Sequence, residues 1–387
     1  MYRIYGGGLM KRYSRFGISV VLAVALMFGN AGCHPGRSYE AALVLADIAA
    51  GDRPSRLKRV VPAPQRMAVR YQTDDQPRQG DLYLPATETR AALLLIPGVA
   101  EGGKDDPRLV AFATTLARAG FAVMVPDLPN LRKLQVSPSD VDEVVAAFAW
   151  LIADPARAPQ GRAGMAAFSY AAGPALLAAL DERVRQQVRF VFAVGGYYDL
   201  PQVLTFFTTG YFRLDEGWQY LQPNDYGKWA FVGSNIHRLT DAEDRRIFRV
   251  LTWRKLADPA APAADLLQGL GPEGRALYAF VTNRDPQRAA QLLAALPEAI
   301  RADVAALNLA DKDLSHLAAQ LILVHGLTDR MIPYVESVAL AEAVAEGQAR
   351  LFLVQGLEHV DVAPELPDRW RLWRAVALLL AARDGKL

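Results

Sequence analysis

Cysteine occurs once in the 387 residues, at Cys33, and histidine only five times. A lone cysteine cannot close an internal disulfide. His237 and His316 lack metal-ligand spacing, and no Cys/His cluster exists, so neither a disulfide scaffold nor a catalytic zinc is expected. Nothing in the chain calls for a cofactor. An excess of one charge is missing too: Lys+Arg 43 against Asp+Glu 41 gives +2, and residues 1–32 hold Arg3, Lys11, Arg12 and Arg15 with no acid, leaving the remainder slightly acidic. Such a balance carries no electrostatic footprint for nucleic acid. Long apolar runs are absent as well. The longest near the N-terminus, Ile18 to Phe28, is broken only by Ser19 and falls short of the ~20 residues a spanning helix needs. What the chain does have is 52% apolar composition, enough for a large core in one or two domains of ordinary size.

The N-terminal run follows basic Lys11, Arg12 and Arg15, the pattern of an export signal, with Met10 an alternative start. It ends at Asn30-Ala31-Gly32-Cys33, which resembles the lipobox of bacterial lipoproteins, although Asn30 stands where an apolar residue is usual. The resemblance implies lipidation at Cys33 and an exported, membrane-anchored protein on the periplasmic side. Soluble export and an uncleaved anchor are the alternatives. Residues 1–33 are thus a signal and lipobox-like segment. Residues 34–66 read as a tether, with a short helix at Tyr39–Ala50 and a Pro/Arg-rich connector from Asp52 to Gln65 that has no periodicity.

From Met67 onward apolar runs of strand length alternate with helical patterns, the signature of an α/β sheet covered on both faces. The runs are Met67–Tyr71, Asp81–Leu84, Ala91–Ile96, Phe121–Val125, Ala163–Phe168, Val188–Val194, Leu321–His325 and Leu351–Val354. Helical stretches lie near Pro107–Ala119, Asp140–Ile152, Tyr170–Leu180, Tyr334–Ala345 and Pro367–Ala382. Continuous apolar runs suit parallel strands buried on both faces. The expected fold is therefore α/β: a doubly wound, mostly parallel, eight-stranded sheet. Its core comprises 67–199 and 314–387. Residues 200–313 interrupt the alternation and read as a helical cap insertion. The insertion opens with an aromatic cluster that includes Phe206, Phe207, Trp218 and Trp229, and it contains a capping box at Thr240-Asp241-Ala242-Glu243.

Three segments at the ends of predicted strands carry chemistry. Ala167-Phe168-Ser169-Tyr170-Ala171 joins a strand to a small-residue helix, the form of a nucleophile elbow with Ala in both customary glycine positions. His325-Gly326-Leu327-Thr328-Asp329-Arg330-Met331-Ile332-Pro333 places one acid in the loop after a buried strand, and Gly356-Leu357-Glu358-His359 places a histidine after the last strand. The order Ser, Asp, His and the HG-x-x-D-x-x-I-P run resemble the α/β-hydrolases over Met67–Asp199 and Leu314–Ala382. That resemblance implies a Ser169–Asp329–His359 triad acting on carboxylic esters through an acyl-enzyme. It also implies an oxyanion hole from the amides of Tyr170 and, in the Gly98-Val99 loop, of Val99. Asp199, at the end of another strand, is the alternative acid. His325 ends a buried strand and reads as structural. The expected partner is a small-molecule or acyl-ester substrate. A thioesterase or peptidase would use the same triad, and an inactive binding lipoprotein on this fold is the reading from a different class.

Overall fold

The computed structural model describes residues 35–73, 76–215, 217–358, 361–362 and 366–387. Two of the candidates, Cys33 and His359, lie outside the described residues. The main sheet comprises β1 Gln65–Gln72, β2 Pro77–Leu84, β3 Ala91–Ile96, β4 Phe121–Pro126, β5 Ala163–Phe168, β6 Phe190–Val194, β9 Gln320–Gly326 and β10 Ala349–Val354. Between β6 and β9 the chain forms the small hairpin β7 Tyr211–Leu214 and β8 Gly217–Tyr220. The main sheet runs in the order β1-β2-β4-β3-β5-β6-β9-β10. β2 pairs antiparallel with β1 and β4, and every other pair is parallel.

Side chains alternate across the sheet, and both faces are covered. Leu94, Ile96 and Met124 pack with Val144 and Phe148 of helix Ser139–Ile152 and with Leu176 of helix Ala172–Leu180. Leu93, Leu95 and Val123 pack on the other face with Leu116 of helix Pro107–Arg118 and with Val376 and Leu379 of helix Leu366–Arg383.

The stretch 34–66, expected to be a tether, is from residue 35 onward part of this second layer. Helix Pro35–Ala50 buries Ala41 and Val44 against the core. Arg383 pairs with Glu40, the Trp373 indole donates to the Ser38 carbonyl (2.9 Å), and Thr115 Oγ1 donates to the buried Asp47 (2.7 Å). Most of these partners lie more than 300 positions along the chain, so local periodicity could not reveal the packing.

The insertion has a core of its own in which Leu204, Trp229, Phe248, Leu277, Phe280 and Ile300 meet. It is helical apart from the β7–β8 hairpin. The expected capping box is rearranged. Asp241 caps helix Ala242–Ala257 by accepting from the amides of Glu243 (2.6 Å) and Asp244 (3.0 Å), while Thr240 turns to Glu273 instead. A carboxylate one residue nearer the helix takes the role more strongly than a hydroxyl, because it also complements the dipole.

Candidate active site

β5 enters a tight turn at Ser169 and leaves it as helix Ala172–Leu180. Ser169 has φ +54°, in the left-handed region that costs an L-residue roughly 1–2 kcal/mol. The turn holds because its surroundings are small and packed. Ala167 and Ala171 are fully buried, a Cβ on Gly173 would come within 2.0 Å of the Tyr197 hydroxyl, and a Cβ on Gly196 within 2.6 Å of the Ala172 methyl. Alanine therefore serves at the two customary glycine positions, and glycine is demanded farther out, at Gly173 and Gly196.

Ser169, Tyr170 and Val99 all line one cavity of about 1600 Å³ that includes the carboxyl end of the parallel strands and extends to helices Pro35–Ala50 and Leu366–Arg383. Ligands of open α/β sheets sit at this edge. The insertion contributes Phe207, Trp229 and Phe231 to the wall. The aromatic cluster is thus divided: Phe206 and Trp229 are buried in the insertion, whereas Tyr220 and Tyr226 remain exposed.

Asp329 is 1% exposed and follows the end of β9. Its Oδ1 accepts the amides of Met331 (2.7 Å) and Ile332 (3.0 Å), which folds the loop back beneath the cavity wall. The neighbouring Arg330 binds the Gln222 carbonyl of the insertion (2.8 Å). Fully buried His325 lies between the Ile332 carbonyl (Nε2, 2.9 Å) and Ser337 Oγ (Nδ1, 2.7 Å). The carbonyl requires a donor, so Nε2 carries a proton. His325 Nε2 stands 3.6 Å from Asp329 Oδ2. β11 Leu357–Glu358 pairs with β12 Asp361–Val362, and the Leu357 carbonyl packs so closely on Gly326 that a Cβ there would meet it at 1.8 Å. Thr328 Oγ1 also donates to the Gln355 carbonyl (3.2 Å). The loop after β9 and the segment Gln355–Glu358 therefore run side by side.

Asp199 is bound differently. Its carboxylate caps helix Leu200–Thr209 through the Gln202 amide (3.1 Å), and burial pushes its pKa up, against that bond.

Sequence reasoning missed Glu336, Asp140 and Tyr197. Glu336 Oε2 accepts the amides of Tyr198 (3.0 Å) and Asp199 (2.7 Å), and burial pushes its carboxyl up to about 8 against those two bonds. The folded protein then keeps Glu336 neutral while the unfolded chain ionises it. Stability from this group is fully present at about pH 4 and is lost as pH rises toward 8. Melting temperature measured across that range should fall in the wild type. Glu336→Gln keeps an acceptor and should remove this part of the slope; a slope left unchanged would refute the assignment. Asp140 opens helix Ser139–Ile152, where an acid ordinarily faces solvent. Here it is fully buried and bonded to Tyr170. No local pattern distinguishes the two cases.

Among the described residues, no group of three His, Cys, Asp or Glu side chains could hold a metal, and no helix is long and apolar enough to cross a membrane. Comparison with protein-family models finds no match, and comparison with curated proteins finds none. Solved structures that align with the chain include an esterase from Pyrobaculum calidifontis, at 14% identity over 95% of this chain and 97% of that one, with a TM-score of 0.46. A dienelactone hydrolase from Anabaena variabilis aligns at 17% identity over 82% and 94%, with a TM-score of 0.41. An alpha/beta hydrolase from Penicillium aligns at 16% identity over 77% and 92%, with a TM-score of 0.45. The strand order, the antiparallel second strand and the elbow after β5 define the α/β-hydrolase fold in this chain.

Proposed function

We propose that this chain is a serine hydrolase that cleaves carboxylic esters through an acyl-enzyme. In this reading His359 takes the proton of Ser169 as its oxygen attacks the ester carbonyl, and Asp329 orients the imidazole and stabilises its charged form. The amides of Tyr170 and Val99 receive the oxyanion. Collapse of the tetrahedral intermediate expels the alcohol with the proton held by His359, and water attacking by the same route releases the acid. The observation that carries the reading is Ser169 itself, left-handed at a strand-to-helix turn and facing a large cavity. Thioesters or peptides would fit the same machinery. Covalent labelling with a fluorophosphonate tests the reading: the chain should be labelled, and label that is absent, or that persists in Ser169→Ala, overturns it.

We also infer export with lipidation at Cys33, supported by the basic-then-apolar N-terminus and the single cysteine at its end. Metabolic lipid labelling should be lost in Cys33→Ser, and label retained in that variant excludes the anchor.

A further inference from the structure

The Asp140 carboxylate has no exposed surface, and the bonds made to it come from neutral donors. Asn130 Nδ2 bonds Oδ1 (2.9 Å), while the Ser137 amide (3.0 Å) and the Tyr170 hydroxyl (3.3 Å) both bond Oδ2. The first two donors sit at either end of a loop whose Lys133, Leu134 and Val136 line the cavity, and Leu134 within it is left-handed at φ +57°. The third is the side chain of the residue after Ser169. One carboxylate thus ties the cavity rim to the elbow.

The Tyr170 ring is held as well. It stacks on Tyr197 with centroids 6.3 Å apart and planes 23° apart, and the Tyr197 hydroxyl donates to the Leu307 carbonyl of the insertion (3.0 Å). Gly173 leaves the space that this hydroxyl occupies. Tyr170 therefore cannot swing without breaking a buried hydrogen bond and a ring stack, and its backbone is fixed with its ring.

We propose that Asp140 is a positioning residue: by holding the Tyr170 hydroxyl it fixes the amide that receives the oxyanion, so the elbow, the rim loop and the insertion are aligned as one unit. This rests on the esterase reading above. An amide donor helps only if it is already aimed where charge develops, and displacement by about 1 Å can cost on the order of 100-fold in rate. A carboxylate can accept from all three donors at once. Asparagine can satisfy all three only with the Asn130 amide reversed, and its neutral oxygen holds the Tyr170 hydroxyl more weakly than the charged carboxylate does.

The titratable groups facing Asp140 are Glu143 on its own helix, which Arg78 of β2 pairs, and Tyr170 and Tyr197 across from it. Burial is the largest influence and pushes Asp140 up to about 6. Below that pH the carboxylate is protonated and loses its advantage over asparagine.

The experiment is turnover of p-nitrophenyl acetate by the full chain, with fluorophosphonate labelling rates alongside, in wild type, Asp140→Asn, Tyr170→Phe and the double variant. Either single change should lower kcat by about ten- to a hundred-fold with KM within about two-fold, and the double variant should lose no more than the worse single. The ratio of wild-type to Asp140→Asn kcat should fall as pH drops through about 6. Melting curves report whether each variant is folded. Folded Asp140→Asn with wild-type kcat, additive losses in the double variant, or a ratio independent of pH would overturn the inference while leaving the esterase reading intact. A wild-type chain that takes no label overturns both.

Discussion

Ser169→Ala should abolish ester turnover while leaving the protein folded, with a loss of kcat on the order of a million-fold, or ~8 kcal/mol of transition-state stabilisation. The size follows from the way a triad works. Without the nucleophilic oxygen, histidine and acid have nothing to activate, so one deletion costs nearly what removing all three would. Stability separates this change from a structural one. Ser169 sits at φ +54°, and alanine is as strained there as serine, so the melting temperature should barely move. Ser169→Gly is the informative partner. It relieves roughly 1–2 kcal/mol of left-handed strain and forfeits about 0.4–1 kcal/mol of unfolded-state entropy, so it should be equal to or slightly more stable than wild type and equally inactive. Turnover of p-nitrophenyl acetate and thermal melts on the three proteins check this. A Ser169→Ala protein that is folded and retains more than about a thousandth of wild-type turnover removes Ser169 from the mechanism.

The parallel strands were legible because burial on both faces leaves an unbroken apolar run. The apolar run Ala91–Ile96 has the same limits as β3, and every residue in it is inaccessible to solvent. β2 shows the converse. Only Asp81–Leu84 was visible, because its first half, Pro77-Arg78-Gln79, lies near the sheet's outer edge, is at least partly exposed and carries no apolar pattern. The order of Ser169, Asp329 and the segment leading to His359 was readable because each follows its own strand. What could not be read was anything fixed by partners distant in sequence. The sequence shows a local helix at Tyr39–Ala50 but neither its start at Pro35 nor its place in the core, since its ion pairs and hydrogen bonds reach the C-terminal helix. The burial of Asp140 depends on a tyrosine 30 positions away. At Thr240–Glu243 the expected cap, Thr240, bonds Glu273 instead, 33 positions away, and Asp241 caps the helix.

The two candidate acids should separate by about four orders of magnitude. Asp329→Asn keeps an oxygen to accept the Met331 and Ile332 amides, so the loop after β9 should hold its shape and the protein its stability. What it loses is the negative charge that orients an imidazole and stabilises its protonated form, a change that lowers kcat by about 10⁴ where such an acid serves a triad. Asp199→Asn is conservative for a different reason. Its oxygen caps helix Leu200–Thr209 through the Gln202 amide, and asparagine caps as well as aspartate. Losing the Asp199 charge also relieves a carboxylate that burial already disfavours and that opposes ionisation of the neighbouring Glu336. Turnover should therefore stay within about two-fold of wild type and stability should hold or rise slightly. If Asp199→Asn proved the far more damaging of the two, the acid would have to be reassigned to the end of β6, and the buried loop of Asp329 would become a structural brace around His325.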